Sequence, residues 1–398
     1  MAAKTKSRDL TPTGGCNNSN QERSVLLALS WYYPEIHRGV AKFARDRQWH
    51  VTADLDDLVP RHWKGDGVIA LIGGTVKLWR QLWRLNVPIV DLSESRPDIE
   101  LPRVTVNNEE VGRMAARHFL DRGHRHFAFI HRWEMGVSRR RLAGFQDELK
   151  RNGHTCEVLS WQKEQGARED SREQRHRWLT QRLAKLPRPL AAFVVRDIEG
   201  VEVIEACVSL KLAIPEQISV LGVDNMETIC DCLRVPLSSV ETNWERVGYE
   251  GAALLDAIMN GQPASKEPIY VPPAGVVERR STDSLAVDHP GVAAALRFMR
   301  DYAHEPINMT DVVKHVAMSR SGLEKAFREN YPRSPMEELR KVRIANACRM
   351  LSESKLKIGV IARRTGFQTA HNLCRTFRQQ IGISPNQYRA EHRREASS

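Results

Sequence analysis

Two stretches near the C-terminal end, TDVVKHVAMSRSGLEKAFREN (310–330) and LKIGVIARRTGFQTAHNLCRTFRQQIGISPNQYR (356–389), follow one plan about 50 residues apart. Each reads as a short helix with apolar residues three or four apart, a tight turn, and a longer helix. In the second, Ile358, Ile361 and Ala362 face a core shared with Phe367, Leu373 and Phe377, and Gly366 supplies the turn. Between them SPMEELRKVRIANACRMLSES predicts one long helix opened by Ser334 and Pro335. No strand-like run occurs from Arg280 to Arg389, so this end of the chain folds as an all-α domain carrying two helix-turn-helix units.

Burying Leu323 and Phe327 on one long helix, and Leu373 and Phe377 on the other, leaves the opposite faces free. Those faces present Arg320, Ser321, Glu324, Lys325 and Arg328 in the first unit, and Thr369, His371, Asn372, Arg375 and Arg378 in the second. Residues of these types bond base edges in a major groove or hold phosphates, although any one of them is also an ordinary solvated surface residue. A connector of about 18 residues spans roughly 27 Å, close to one turn of B-DNA at about 34 Å, so both faces can enter successive grooves. Charge agrees with that partner. From Leu285 onward the chain carries 20 Lys and Arg against 11 Asp and Glu; the preceding 284 residues carry 40 against 38. A basic module on a nearly neutral body is what attraction to phosphate backbones requires.

From Ser24 to about Pro290 short apolar runs alternate with amphipathic stretches, the pattern of an α/β domain with a parallel sheet. Strands are expected at 25–30, 66–72, 87–92, 126–131, 190–195, 218–224 and 238–242, and within 268–280. Helices are expected at Glu35–Asp46, Glu109–Arg122, Arg139–Asn152 and Trp244–Asn260. Residues 1–23 read as a disordered lead-in without the apolar core of a secretory signal. STDSLAVDHPG reads as a linker closed by Pro290 and Gly291, and residues 391–398 as a tail.

With 41% hydrophobic and 27% charged residues the chain is globular in composition, and no run of about 18 apolar residues predicts a membrane span. The seven cysteines form no CxxC pair, which excludes a disulfide framework and a zinc ribbon and fits a reducing, cytoplasmic setting; Cys230 and Cys232 are expected to be buried thiols. GxGxxG, Walker A, GxSxG and HExxH sequences are all missing, so no cofactor is expected and an enzyme reading lacks a nucleophile or metal. A repair enzyme with a DNA-binding tail would have to use Cys348 or Cys374, neither of which has a clear activating base. What the strand ends do offer is a mixture suited to sugars: Trp31 and Tyr32 after the first strand, then Asp91, Arg141, Asp197 and Asp224. Charged planar groups satisfy vicinal hydroxyls and an aromatic face covers the ring, at the carboxyl ends of parallel strands where ligands bind.

Residues 292–390 resemble the AraC/XylS family of transcription regulators, on Gly366, Phe367, Phe377, Gly382, Ser384, Pro385 and Tyr388; Pro332 departs where that family usually has glycine. Residues 24–282 resemble the LacI/GalR regulators and periplasmic sugar-binding proteins. RLAGF (141–145), RDIEG, ISVLGVDN (218–225), VTVNNEEVGRMAARHFLDRGHRHFAFI and VERRST carry that likeness. The second resemblance implies a two-lobed sensor, one lobe at about 24–107 and 240–267 and the other at about 108–239 and 268–282, with crossovers near 107 and 240. It also implies that Arg141, Asp197 and Asp224 line a cleft and bond sugar hydroxyls. Arg196 stands where asparagine is common in that family. The order of the parts, sensor first and reader last, with VPP..V.ERRSTD at the junction and SRSGLEK in the first recognition helix, resembles sugar-responsive regulators of these families, and that resemblance implies a homodimeric, cytoplasmic activator that binds promoter DNA and contacts RNA polymerase. Its effector is then D-xylose, with another pentose, a hexose or a phosphorylated sugar as the alternative.

Overall fold

The computed structural model describes residues 22–54, 58–73, 76–166, 170–264, 267–283, 289–331 and 333–394. Residues 1–21 of the lead-in, 284–288 of the expected linker, Pro332 and residues 395–398 of the expected tail therefore lie outside the described residues. The chain divides into two units. One comprises residues up to His118 together with His126–Thr282, and the other Asp283 onward together with Phe119–Arg125.

Among the described residues the first unit holds a four-stranded sheet, a six-stranded sheet and a two-stranded pair, parallel but for one strand. One lobe contains β1 (Ser24–Leu29), β2 (His50–Thr52), β3 (Gly67–Leu71) and β4 (Ile89–Asp91) in the order β2-β1-β3-β4, with β5 (Val104–Val106) reached through a bridge between Asp91 and Arg103. The other contains β6 (His126–His131), β7 (Glu157–Ser160), β8 (Leu190–Val194), β9 (Ile218–Val223) and β10 (Ser238–Glu241). Two further strands complete the set. β11 (Ile269–Val271) adds to β5, whereas β12 (Gly275–Val277) pairs antiparallel with β10, giving a six-stranded order β12-β10-β9-β8-β6-β7. The return to the second lobe thus falls after Val271, not at 268, and β10 belongs wholly to the second lobe, so that crossover follows Glu241. The sequence places the return at about 268 because the run 268–280 reads as one strand, while its Pro272 and Pro273 divide it between two sheets.

Helices α1 (Pro34–Arg47), α2 (Val76–Leu82), α3 (Asn108–Leu120), α4 (Gly136–Arg151), α5 (Trp161–Gln165), α6 (Arg172–Leu183), α7 (Asp197–Ser209), α8 (Glu227–Cys230) and α9 (Trp244–Met259) connect the strands. The crossing of α3 and α4 has a steric cause that bears on the cleft. A Cβ on Gly112 would lie 2.1 Å from the Arg141 carbonyl oxygen, and one on Gly144 would lie 1.9 Å from that of Glu109. Each helix offers a bare backbone to the other, and Arg141 is held at the closest point of the crossing.

Among the described residues the second unit has helices and no strand: α10 (Pro290–Asp301), α11 (Met309–Val316), α12 (Arg320–Asn330), α13 (Pro335–Glu353), α14 (Ile358–Arg364), α15 (Ala370–Ile381) and α16 (Pro385–Arg394). Pro290 and Gly291 do not close a linker. They open α10, with His289 as the N-cap, because proline is preorganised for the first helical turn. Likewise α16 runs to Arg394, into the stretch read as a tail. Two cores form. Val312, Leu323, Phe327 and Leu339 belong to one, and Ile344, Leu351, Ile361, Leu373 and Phe377 to the other, so α13 is a wall of both. Ser334 and Glu337 form a capping box at its start. Arg343 on α13 ties that helix to the loop between α10 and α11 by donating to the carbonyls of Ala303 (3.1 Å), Glu305 (2.8 Å) and Ile307 (2.9 Å). Gly366, at φ 74°, meets the same loop: a Cβ there would come within 2.2 Å of the Ala303 oxygen.

Candidate functional site

The polar centre of the first unit is built on the ends of β1 and β9 and the start of α3. Asp224 follows β9 with φ at 105°, a strained value for a residue with a side chain, and its amide donates to the Val240 carbonyl at 2.9 Å. Its carboxylate accepts from the Tyr33 hydroxyl at 3.0 Å and from Thr242 at 3.5 Å, and faces the Arg141 guanidinium at 3.6 Å. Arg141 donates through Nε to Asn108 Oδ1 at 2.9 Å and through Nη1 to the Val195 carbonyl. Asn108 in turn donates to Glu94 at 3.0 Å, and Glu94 also holds Arg140 at 2.9 Å and the Tyr270 hydroxyl at 3.0 Å. Tyr33, Glu94 and Tyr270 come from one lobe and Asp224, Arg141 and Arg140 from the other. One chain of hydrogen bonds and ion pairs therefore runs back and forth across the interlobe cleft.

Of the sequence candidates, Arg141 and Asp224 face each other at 3.6 Å. Trp31 and Tyr32 stay at the surface, 41% and 39% exposed, with Arg196 above the Trp31 ring at 5.9 Å and also paired with Glu199 at 2.6 Å. Tyr33 is the aromatic that turns inward, 7% exposed and packed on Trp244 at 4.8 Å between ring centroids. The sequence carries a signal for it: Pro34 confines the preceding residue to extended backbone, and Tyr33, at φ −110° and ψ 111°, caps α1 without belonging to it. Burial beside the Asp224 carboxylate pushes its hydroxyl well above the ordinary tyrosine range, so it is a donor at neutral pH.

Asp91 does not join the cleft cluster. It is fully buried, paired with Arg103 at 3.2 Å, and accepts from the amides of Ile72 and Ser93 at 3.1 Å, which makes it a brace for the strand ends of the first lobe. Asp197 is also fully buried. It accepts from Ser239 at 2.6 Å and the Met226 amide at 2.9 Å, and a Cβ on Gly222 would stand 2.2 Å from it. Its place is one layer behind Asp224, organising the turn that presents that residue. Burial pushes both carboxyls up to about 7, for Asp197 with a further push from the Asp224 charge. Glu94 in a loop, Asn108 at a helix start, Tyr270 on a three-residue strand and Arg140 on the exposed side of α4 carry no sequence pattern that marks them as site residues.

In the second unit α12 follows the left-handed Ala317 and the N-cap Ser319, and α15 follows the Gly366 turn and the N-cap Thr369. Leu323, Phe327, Leu373 and Phe377 are buried. The opposite faces expose Arg320, Ser321, Glu324, Lys325 and Arg328, and Thr369, His371, Arg375 and Arg378, while Asn372 is half-buried. Thr369 is partly committed, its hydroxyl accepting from the Asn372 amide at 3.2 Å. The connector α13 has 19 residues, about 28 Å at 1.5 Å each. Among the described residues no group of three or more His, Cys, Asp or Glu could hold a metal, and no helix is long and apolar enough to cross a membrane. The described cysteines are free; Cys230 is buried but Cys232 is exposed, contrary to the expectation for the pair. Burial pushes the Cys348 thiol up to about 11, the wrong direction for a nucleophile.

A periplasmic binding protein-like domain family matches residues 116–282, and a helix-turn-helix domain family matches residues 312–391. The chain is 28% identical to the xylose operon regulatory protein of Escherichia coli (strain K12), over 93% of this chain and 97% of that protein. It is 27% identical to the xylose operon regulatory protein of Haemophilus influenzae, over 72% and 74%. A solved structure of a xylose-binding transcription activator, at 24% identity, superposes with a TM-score of 0.59 and covers 93% of this chain and 98% of that one. These relatives are transcription regulators, which sets aside the enzyme reading on Cys348 or Cys374.

Proposed function

We propose, from the premise that this chain is a transcription regulator similar along nearly its whole length to the xylose operon regulatory proteins, that it binds D-xylose in the interlobe cleft and activates sugar-catabolism genes from the cytoplasm. The observation that carries this reading is the Arg141–Asp224 pair, buried between lobes and joined to Tyr33 and Asn108. A carboxylate and a guanidinium side by side offer acceptors and donors to adjacent hydroxyls, and Tyr33 stacked on Trp244 supplies an apolar wall. Ligand that bridges the lobes favours their closed arrangement, and in a homodimer such a bias alters which spacing of half-sites the paired readers tolerate. RNA polymerase is the further partner expected of an activator.

Titration calorimetry of the full chain with D-xylose, L-arabinose, D-ribose, D-glucose and a sugar phosphate tests the effector. Saturable binding of D-xylose, at least tenfold tighter than of the others, is the expected result. Preference for a hexose or a phosphorylated sugar would replace the effector while leaving the regulator.

A further inference from the structure

The two helix-turn-helix units agree in architecture and differ in charge. Residues 290–333 contain seven Lys and Arg against five Asp and Glu, whereas residues 354–390 contain seven Lys and Arg and no acidic residue. The structure sharpens the contrast at the exposed faces. On α12, Arg320 is paired with Glu324 at 3.1 Å and Lys325 stands 4.0 Å from Glu329, so two of the three cations on that face already have a carboxylate beside them. On α15, Arg375 and Arg378 are exposed with no acidic residue on the helix, and α14 ends in the exposed Arg363 and Arg364.

Each phosphate neutralised by a protein cation releases condensed counterions, which steepens the fall of log affinity with log salt by about 0.9 per contact. A cation beside a carboxylate contributes less to this term, because the acid repels the same phosphate. Hydrogen bonds to base edges add specificity without it. In a helix-turn-helix the first helix crosses the sugar-phosphate backbone, which is the place α14 holds in the second unit. Serine, glutamate and a fork-shaped arginine on α12 are instead equipped to read bases.

We infer that the units divide the work on DNA: the second, through α14 and α15, supplies most of the phosphate anchoring and hence most of the salt-dependent affinity, while the first, through α12, supplies discrimination with little electrostatic pull. This rests on the DNA-binding reading given above. It predicts that the reader is held on any duplex by one end and tests sequence with the other.

The test uses the full chain and two duplexes, one selected by the chain from a random pool and one with the same bases scrambled. Affinity is followed by fluorescence anisotropy over a range of KCl concentrations. The triple variant Arg363→Gln, Arg364→Gln, Arg378→Gln is expected to flatten the salt slope by about two to three for each chain bound, on both duplexes. The triple variant Arg320→Gln, Lys325→Gln, Arg328→Gln is expected to flatten it by about one or less, and to erode the preference for the selected duplex instead. Glu324→Gln alone should steepen the slope. Thermal melting establishes that the variants are folded, and single substitutions at Arg363 and Lys325 repeat the comparison if a triple variant melts early. Equal flattening by the two triple variants, or more from the first unit, overturns the division. Failure of the unmodified chain to bind either duplex is a distinct result, and overturns the DNA-binding reading itself.

Discussion

Asp224 accepts from Tyr33 and Thr242 and faces Arg141, so its removal leaves a buried guanidinium without its carboxylate. Asp224→Ala should weaken D-xylose binding by roughly 10- to 150-fold, as loss of a charged hydrogen bond worth about 1.5–3 kcal/mol implies, with DNA binding in the absence of sugar preserved. Calorimetry and anisotropy on the same preparation check both, and a retained sugar response rejects the assignment. Asp197 behaves differently because it lies behind the cleft wall. Its carboxyl sits near 7 in the folded chain against an ordinary value of 3.8, so the folded state holds that proton more tightly than the unfolded one. The stability contributed by this group is complete below 3.8 and is lost as pH rises through 7. Denaturation midpoints should therefore fall between about pH 4 and pH 7, and Asp197→Asn should make that fall shallower. An unchanged pH profile in the variant would show that Asp197 titrates as a free carboxyl.

The helices illustrate what a sequence discloses and what it withholds. Period-3.6 burial at Leu323 and Phe327, and at Leu373 and Phe377, located the two long helices of the reader and their free faces. The Ser334 cap likewise located the start of α13. The α/β alternation reveals a sensor of parallel strands, but β2, β5 and β7 escape it, because each is short and lacks the continuous apolar run that marks β4. Asp91 looked like a ligand group for the same reason Asp224 did, as an acid at a strand end. Only packing tells them apart, since Arg103 reaches Asp91 from a segment whose approach no local pattern announces. The reciprocal glycines of α3 and α4 were equally silent, although they set the position of Arg141. Gly144→Ala should cost about 1–3 kcal/mol by overpacking and should weaken sugar binding by moving Arg141. Ser334→Ala should cost about 1 kcal/mol with no effect on the cleft. Chemical denaturation and sugar titration of both variants separate these outcomes.

On the scale of the whole chain, a cleft lined by a buried Arg–Asp pair and a basic, doubly helix-turn-helix tail become one regulator only if occupancy of the first changes the behaviour of the second. That coupling must be reciprocal: whatever factor sugar imposes on DNA affinity, DNA imposes on sugar affinity. Couplings of about 1–3 kcal/mol correspond to roughly 5- to 150-fold. The decisive measurement is the affinity of the full chain for its selected duplex with and without saturating D-xylose, paired with the affinity for D-xylose with and without saturating duplex. Sensing through this cleft predicts at least a fivefold change in the first and an equal factor in the second, both abolished by Asp224→Ala. Identical duplex affinities in the two conditions, with xylose shown to be bound, would contradict it.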